Sequence, residues 1–142
     1  MENILVSACL LGVSCRYDGK SKANEAVLAL RERYNLIPVC PEVFGGLPTP
    51  RTPSERVGER VVMKDGTDVT DNYERGAAEA ERLCEIYGIK TAILKERSPS
   101  CGKGEIYDGS FSGALTARDG VAAERLMKIG VRVLGESEIN IL

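Results

Sequence analysis

Short apolar runs separated by polar segments recur along the chain. The clearest of these runs are residues 3–8, 36–39, 91–94 and 131–134. Each run is a few residues long and consists largely of Leu, Ile, Val and Ala, as is typical of strands that are buried on both faces. The pattern therefore predicts four buried β-strands.

Three longer segments between these runs carry apolar residues at helical spacing. Residues 24–34 begin with Asn24, a favoured N-cap residue, and residues 71–87 are followed by a glycine, which commonly ends a helix. Residues 114–129 have the same apolar period and also end before a glycine. We predict an α-helix in each segment.

Two further segments interrupt the alternation of strands and helices. Residues 41–54 contain several prolines and two adjacent glycines, which disfavour regular structure and predict a loop that acts as a lid or a binding wall. Residues 61–63 and 67–69 flank a Lys-Asp-Gly segment. An Asp-Gly pair between short strand-like runs predicts a β-hairpin inserted into the fold.

The order of these elements predicts an α/β fold, because strands that alternate with helices form parallel sheets covered on both faces. At 142 residues the chain fits one compact domain, which would bury about two thirds of the surface of the unfolded chain. We therefore expect a single domain over residues 1–142. It would be a three-layer parallel sheet, Rossmann-like or flavodoxin-like, with an inserted β-hairpin.

Charge and hydropathy exclude several kinds of partner. The formal net charge is −2 and the basic residues are scattered, so we expect no surface for long duplex nucleic acid, although a single nucleotide or base would fit. No apolar stretch approaches the ~20 residues that span a bilayer, and no basic segment precedes the first apolar run. We expect a cytoplasmic location and no membrane partner, and the sequence leaves the oligomeric state open.

The chain contains five cysteines and no histidine. Thiols stay reduced in the cytoplasm, and an odd number of cysteines does not suit a disulfide framework. The absence of histidine excludes Cys-His and Ser-His catalysis and every His-ligated metal site. Any proton transfer would fall to carboxylates, Lys, Tyr or Cys.

Three cysteines follow the carboxyl ends of three different predicted strands. Cys9, Cys40 and Cys101 lie one to a few residues beyond these ends, at the edge of an α/β sheet where ligands bind. Converging thiolates are typical of zinc, Cu(I) or iron–sulfur sites, whereas small apolar residues that close the strands are the simpler interpretation. Structural zinc would take a fourth ligand and usually has C-x2-C knuckles, neither of which is evident. A [4Fe–4S] cluster on three cysteines would leave one iron open to substrate.

The other two cysteines are assigned to less direct roles. Cys84 falls on the apolar stripe of the helix predicted at 71–87, so we expect it in the core. Cys15 lies in the same loop as Cys9. We interpret it as packing or as a spare thiol near the site, and a fourth ligand is the less favoured alternative.

Cys9 and Arg16 together suggest a second kind of site, the phosphate-binding loop of small tyrosine phosphatases. That loop has one residue fewer between its cysteine and arginine than the six found here. Because its backbone amides must converge on one anion, the extra residue should disrupt the cradle. A phosphatase is therefore only a minor alternative.

The motifs around these cysteines resemble those of a known family. They are Ser-Ala-Cys-Leu-Leu-Gly at 7–12, Arg-Tyr-Asp-Gly at 16–19, Pro-Val-Cys-Pro-Glu at 38–42, Gly-Gly-Leu-Pro-Thr-Pro-Arg at 45–51 and Ser-Pro-Ser-Cys-Gly at 98–102. Nearly end to end, the chain resembles the thiouracil desulfidase family, small bacterial and archaeal proteins formerly known as a domain of unknown function. The resemblance implies an enzyme that converts a thiolated uracil into uracil.

The resemblance also implies a cofactor and a set of site residues. Cys9, Cys40 and Cys101 match the cysteines that hold an oxygen-sensitive [4Fe–4S] cluster, whose open iron takes the sulfur. Glu42 and Ser98 match the polar residues implicated in catalysis. The expected partner is a small thiolated nucleobase or nucleoside.

The chemistry of sulfur removal suggests a role for each polar residue. Glu42 is the only carboxylate in the cysteine-bearing motifs, and we hypothesise that it activates water or protonates the departing sulfur. Ser98 would hydrogen-bond to the ring or to the sulfur, unless it only stabilises a turn. Arg16, Arg51 and Lys103 are candidates to balance the charge of the cluster. The main alternative to an enzyme is a non-enzymatic carrier of a cluster or of sulfur; a zinc protein is less favoured.

Overall fold

A computed structural model describes residues 1–142 and is built around a four-stranded parallel sheet. The strands of the chain are β1 (Glu2–Ser7), β2 (Tyr34–Val39), β3 (Ser54–Val57), β4 (Arg60–Met63), β5 (Thr91–Leu94), β6 (Ile106–Tyr107), β7 (Leu115–Thr116) and β8 (Arg132–Gly135). The sheet has the order β2-β1-β5-β8, and every pairing within it is parallel. These are the four strands that the apolar runs predict.

Helices cover both faces of the sheet, which confirms the predicted three-layer α/β fold. The α-helices are α1 (Glu25–Ala29), α2 (Pro41–Phe44), α3 (Thr70–Tyr87) and α4 (Val121–Lys128), with 3₁₀ turns at Ala8–Leu11, Leu30–Glu32 and Glu136–Ile141. On one face, Ala80 of α3 and Leu126 of α4 share an apolar cluster with Leu5 of β1. On the other face, Val27 of α1 clusters with Ile4. None of the helices has both the length and the apolar character that crossing a bilayer requires.

The strand order creates a switch point between β1 and β5. The chain leaves β1 for β2 on one side, whereas β5 and β8 lie on the other, and ligands of open α/β sheets bind outside the carboxyl ends at such a point. The Ser7 hydroxyl, at the end of β1, accepts a hydrogen bond from the backbone N–H of Lys95 at 2.8 Å. This bond joins the ends of the two strands.

The first predicted helix is shorter than its apolar pattern indicates. Asn24 is the N-cap as predicted, because its side-chain oxygen accepts a hydrogen bond from the Val27 N–H at 3.1 Å. However, α1 ends at Ala29 and is followed by a 3₁₀ turn, because Tyr34 already pairs with Glu2 in the sheet. The helix predicted to reach residue 34 therefore had to end earlier.

The prediction of a helix from residue 114 was wrong in its first half. Helix α4 begins only at Val121, and Leu115 and Thr116 instead form the short strand β7, which pairs with β6. The Gly120 N–H donates a hydrogen bond to the Gly102 carbonyl at 2.6 Å. Contacts with a distant loop, which a local pattern does not reveal, thus set the start of the helix.

The segment between β2 and α3 departs from the prediction in two ways. Residues 41–54 are not entirely loop, because Pro41 begins the short helix α2, where a proline has no helical hydrogen bond to lose. The inserted hairpin is formed by β3 and β4, and Gly58 in its turn has φ of 59°. The predicted pairing around the Asp-Gly segment is present as the bridge between Val62 and Asp68 and two backbone hydrogen bonds, from the Met63 N–H to the Thr67 carbonyl at 2.8 Å and from the Val69 N–H to the Val61 carbonyl at 2.9 Å. The turn at Gly58-Glu59, rather than the turn at Asp65-Gly66, joins β3 and β4, the two paired strands of the hairpin.

Candidate functional site

A cavity of about 510 Å³ opens at the carboxyl edge of the sheet. Cys9 follows β1, Cys40 directly follows β2, and Cys101 lies in the loop after β5. All three residues line the cavity, and Cys15 lines it as well. Cys84 lies elsewhere, in the apolar cluster between α3 and the sheet, as predicted. The structure thus brings the three predicted ligand cysteines to one place.

Cys9 and Cys101 are buried in surroundings that disfavour a thiolate. Burial, with a further contribution from Cys40, raises the pKa of Cys9 to about 11. Burial raises the pKa of Cys101 to about 12, although hydrogen bonds with Ser7 and Ser100 act in the opposite direction. A positively charged inorganic centre would stabilise both residues as thiolates, since metal ligation deprotonates a thiol.

Cys40 is more easily ionised than its neighbours. Its pKa is lowered, first by a hydrogen bond from the Cys15 thiol and then by the Val43 N–H and the charge of Arg51. The same hydrogen bond, followed by burial, raises the pKa of Cys15. The Cys40 thiol lies 3.7 Å from the Cys15 carbonyl oxygen, so Cys15 is a close neighbour of a predicted ligand.

The loop that carries Cys101 is attached to the first turn of α4. The Val121 N–H donates a hydrogen bond to the Pro99 carbonyl at 2.9 Å. Residue 120 must be glycine at this contact, because a Cβ on Gly120 would overlap the backbone of Ser100. The loop carbonyls thus satisfy amides at the start of the helix, and the position of the thiol depends on α4.

Ser98 lines the cavity and also organises the loop around the thiol. Its hydroxyl oxygen accepts hydrogen bonds from the backbone N–H groups of Ser100 and Cys101, both at 3.1 Å. The hydroxyl groups of Ser98 and Ser100 lie 3.0 Å apart. Ser98 therefore stabilises the turn around Cys101. It also lies in the cavity wall, where a substrate can contact it.

Glu42 is the second residue of α2, and both of its carboxylate oxygens are engaged. Oε1 accepts a hydrogen bond from Arg51 Nε at 3.0 Å, and Oε2 accepts one from the Ser100 hydroxyl at 2.9 Å. These two bonds fix the orientation of the carboxylate in the cavity wall, close in sequence to Cys40. Glu42 is thus placed in the site and is not an exposed loop carboxylate.

The three basic residues that were expected to balance charge lie in different surroundings. The side chain of Arg51 is only 4% exposed and, besides Glu42, binds the Cys15 carbonyl through Nη2 at 2.9 Å. Arg16 lines the cavity, whereas Lys103 lies outside it and pairs with Glu138 at 3.3 Å. Arg51 therefore joins Glu42 to the loop of Cys15, a role that was not predicted.

The backbone around Cys9 does not form a phosphate cradle. The Gly12 N–H donates to the Cys9 carbonyl and the Val13 N–H donates to the Ala8 carbonyl, both at 3.2 Å. A phosphatase loop instead needs its amides free and directed at one anion. The structure therefore argues against the phosphatase alternative.

The cysteine side chains around the cavity suit an iron–sulfur cluster better than a single metal ion. Cysteine thiolates are the usual ligands of iron–sulfur clusters. No three Cys, Asp or Glu side chains are arranged to share one metal ion, as a structural zinc site would require. The ligands of a cluster bind different iron atoms and stand further apart. Cys9, Cys40 and Cys101, placed around one cavity, suit that arrangement.

Comparison with known proteins identifies the family of the chain. The model of the 2-thiouracil desulfurase family matches residues 4–138. The chain belongs to this family. YbbK, an uncharacterized protein of Bacillus subtilis (strain 168), is 41% identical over 147 residues, covering 96% of this chain and 97% of YbbK. The solved structure of TudS, a [4Fe-4S]-dependent thiouracil desulfidase, matches with a TM-score of 0.95 at 48% identity, covering 100% of this chain and 95% of TudS.

Many wall residues of this 2-thiouracil desulfurase family member were not predicted as part of the site, and three of them bear on its chemistry. Ser7 and Ser100 are both 2% exposed, and Tyr73 of α3 also lines the cavity. The sequence does carry a signal for Ser100, which directly precedes Cys101 in the Ser-Pro-Ser-Cys motif. Tyr73 falls on the apolar stripe of its helix, so its pattern indicates only the core.

Proposed function

We propose that this protein is a [4Fe–4S]-dependent desulfidase that replaces the sulfur of a thiolated uracil with oxygen. Membership of the 2-thiouracil desulfurase family and full-length similarity to TudS support this activity and this cofactor. The observation that carries the proposal is that three thiols and a doubly hydrogen-bonded carboxylate line one cavity. Residues 1–142 would act as one domain in the reducing cytoplasm, where free thiols persist.

Cys9, Cys40 and Cys101 would hold the cluster. With three cysteine ligands, one iron would lack a protein ligand and would supply a soft Lewis acid for the thiocarbonyl sulfur. Cys15 would remain outside the ligand set, as a neighbouring thiol whose backbone carbonyl lies 3.7 Å from Cys40 Sγ. The raised pKa values of Cys9 and Cys101 fit this assignment, since ligation provides the charge that stabilises their thiolates.

Glu42 would accept a proton from the water that attacks the thiocarbonyl carbon. Exchange of C=S for C=O needs a base for the water and a proton for the departing sulfur, and the chain has no histidine for either step. Arg51 and Ser100 hold the two carboxylate oxygens in place. Each oxygen retains a second lone pair, so Glu42 can accept the proton without losing either bond.

Ser98 would donate its hydroxyl hydrogen to the substrate. Two loop amides, those of Ser100 and Cys101, already occupy the acceptor sites of its oxygen. In the structure its hydrogen is directed at Ser100 Oγ, 3.0 Å away, because Ser100 donates its own hydrogen to Glu42; a ring oxygen or the sulfur of the substrate would replace Ser100 as the acceptor. The proposed partner is a small thiolated nucleobase or nucleoside.

Anaerobic reconstitution tests the proposal directly. The chain would be reconstituted with iron and sulfide and then mixed with 4-thiouracil, and Cys101→Ser protein would be treated in parallel. The proposal predicts loss of the thiocarbonyl absorbance and formation of uracil by the unaltered chain alone. A stable cluster without uracil formation would instead indicate a carrier of a cluster or of sulfur.

A further inference from the structure

The hydroxyl of Tyr73 is buried in the cavity wall without a hydrogen-bond partner. Tyr73 is 2% exposed, and its hydroxyl oxygen is one of only two buried side-chain polar atoms that lack a partner. Leaving a buried hydroxyl unpaired costs free energy, so such a group calls for an explanation. Because Tyr73 also lines the cavity, a molecule inside the cavity can supply the missing partner.

The packing of α2 on α3 brings this hydroxyl towards Glu42. Gly76 lies three residues after Tyr73, on the same side of α3, and a Cβ there would overlap the carbonyl oxygen of Pro41 in α2. The close approach of the two helices places the ring of Tyr73 beside the residue that follows Pro41, which is Glu42. Close helix packing at a glycine thus determines where the tyrosine hydroxyl lies.

The polar neighbours of the hydroxyl are Glu42 and Ser54, which lie close enough to influence its pKa through hydrogen bonding, but neither forms a hydrogen bond of regular geometry with it. Both residues line the same cavity. The pKa of Tyr73 is raised well above its ordinary value, first by burial and then by the charge of Glu42. The hydroxyl therefore keeps its proton and can act as a donor near a carboxylate.

A water molecule would satisfy all of these groups. Buried water usually makes about three hydrogen bonds to polar groups that otherwise lack partners. Each oxygen of Glu42 accepts one hydrogen bond from the protein, so each can accept another from water. The Tyr73 hydroxyl can donate to the same water. One molecule held in this way would lie in the wall of the cavity, beside the carboxylate that is proposed to activate it.

We propose that Tyr73 and Glu42 together hold the water molecule whose oxygen replaces the sulfur of the substrate. Tyr73 is then a positioning residue that acts through this water. The inference rests on the proposed desulfidase function. The water oxygen forms a bond to the thiocarbonyl carbon, and the C–S bond breaks with its electron pair on sulfur. The two water protons pass by way of Glu42 to the departing sulfide, so hydrogen sulfide is the net second product and no oxidant or reductant is needed.

The kinetic test compares Tyr73→Phe with the unaltered chain. The substitution removes only the hydroxyl, so we expect kcat to fall about tenfold or more while KM and the iron content stay unchanged. Tyr87→Phe, at the exposed end of the same helix, is the matched control and should keep full kcat. A Tyr73→Phe protein with kcat within twofold of the unaltered chain would overturn the proposal.

A second test does not depend on turnover. Crystals of the holoprotein grown without oxygen should show an ordered water within hydrogen-bonding distance of the Tyr73 hydroxyl and the Glu42 carboxylate, and Tyr73→Phe crystals should lack it. Direct bonding of the hydroxyl to Glu42 or Ser54, with no water between them, would overturn the proposal. If the unaltered chain fails to form uracil, the proposed function fails, and the density between Tyr73 and Glu42 still decides whether the water site exists.

Discussion

The hydroxyl of Ser100 lies 2.9 Å from the Oε2 atom of Glu42 and donates a hydrogen bond to it. Ser100 lies in the loop after β5 that carries Cys101, and Glu42 lies in α2, which directly follows Cys40 at the end of β2. The bond therefore links the geometry of the proposed cluster ligands to the orientation of the proposed base. A shift of α2 or of the Cys101 loop would therefore disturb this bond.

Ser100→Ala should lower kcat and leave the cluster in place. The change removes one of the two bonds that orient Glu42, and a loss of about tenfold corresponds to one hydrogen bond to a charged group. Steady-state kinetics with thiouracil, together with iron content, measure both effects. Ser112→Ala in an exposed loop is the control. Equal kcat in the two variants would show that the Ser100 bond has no catalytic consequence.

Glu42→Gln should retain the cluster and lose turnover. Glutamine preserves the shape of the side chain but is a very poor proton acceptor, and loss of a general base typically lowers the rate by about 100-fold or more. The exposed Glu59 provides a matched control, Glu59→Gln. Full activity in Glu42→Gln protein would remove this residue from the mechanism.

Arg51→Met should destabilise the fold as well as reduce activity. It leaves the carboxylate of Glu42 and the Cys15 carbonyl without their donor in a buried setting, a loss of about 3 kcal/mol in the free energy of unfolding. Urea denaturation of the cluster-free protein measures it, and Arg82→Met on the exposed side of α3 is the control.

The double variant Glu42→Gln, Arg51→Met separates the ion pair from the other contacts of Arg51. We expect its loss of stability to be smaller than the sum of the two single losses, because removing the charge of Glu42 also removes the need for its partner. Additive losses would mean that the 3.0 Å contact between the two side chains contributes no coupling.

Gly76→Ala should displace α2 and with it Glu42. Alanine is favoured over glycine in a helix by about 1 kcal/mol. Here, however, its Cβ would overlap the Pro41 carbonyl, and overpacking against backbone costs about 1–3 kcal/mol. We expect net destabilisation in thermal unfolding and reduced kcat. The control Glu79→Ala, on the exposed side of α3, should change neither, and an unimpaired Gly76→Ala protein would show that α2 can shift without cost.

The sheet and the positions of three cysteines were predictable, because both depend on local pattern. A run such as 91–94 is apolar whatever surrounds it, and thiols that follow parallel strands converge at one edge. The start of α4 and the strands of the hairpin were not predictable in the same way. The sequence contains two turn signals, at Gly58 and Gly66; the structure has a turn at both, and Val61 of β4 packs against α3 and α4.

The polar network of the site could be predicted only in part. Glu42 and Ser98 lie in motifs that contain a cysteine, so the sequence points to them directly. The bonds that orient Glu42 come from Arg51 and Ser100, which are brought to it by the folding of separate loops. Tyr73 has the spacing of a core residue, and only the structure shows that its hydroxyl lacks a partner.

Iron and sulfide analysis of protein purified without oxygen tests the central claim most directly. A [4Fe–4S] cluster on Cys9, Cys40 and Cys101 predicts about four iron atoms and about four sulfides per chain. Cys101→Ser protein should lose this content, whereas Cys84→Ser protein should retain it with some loss of stability from a hydroxyl in the core. Zinc without iron, or equal iron content in these two variants, would contradict the account.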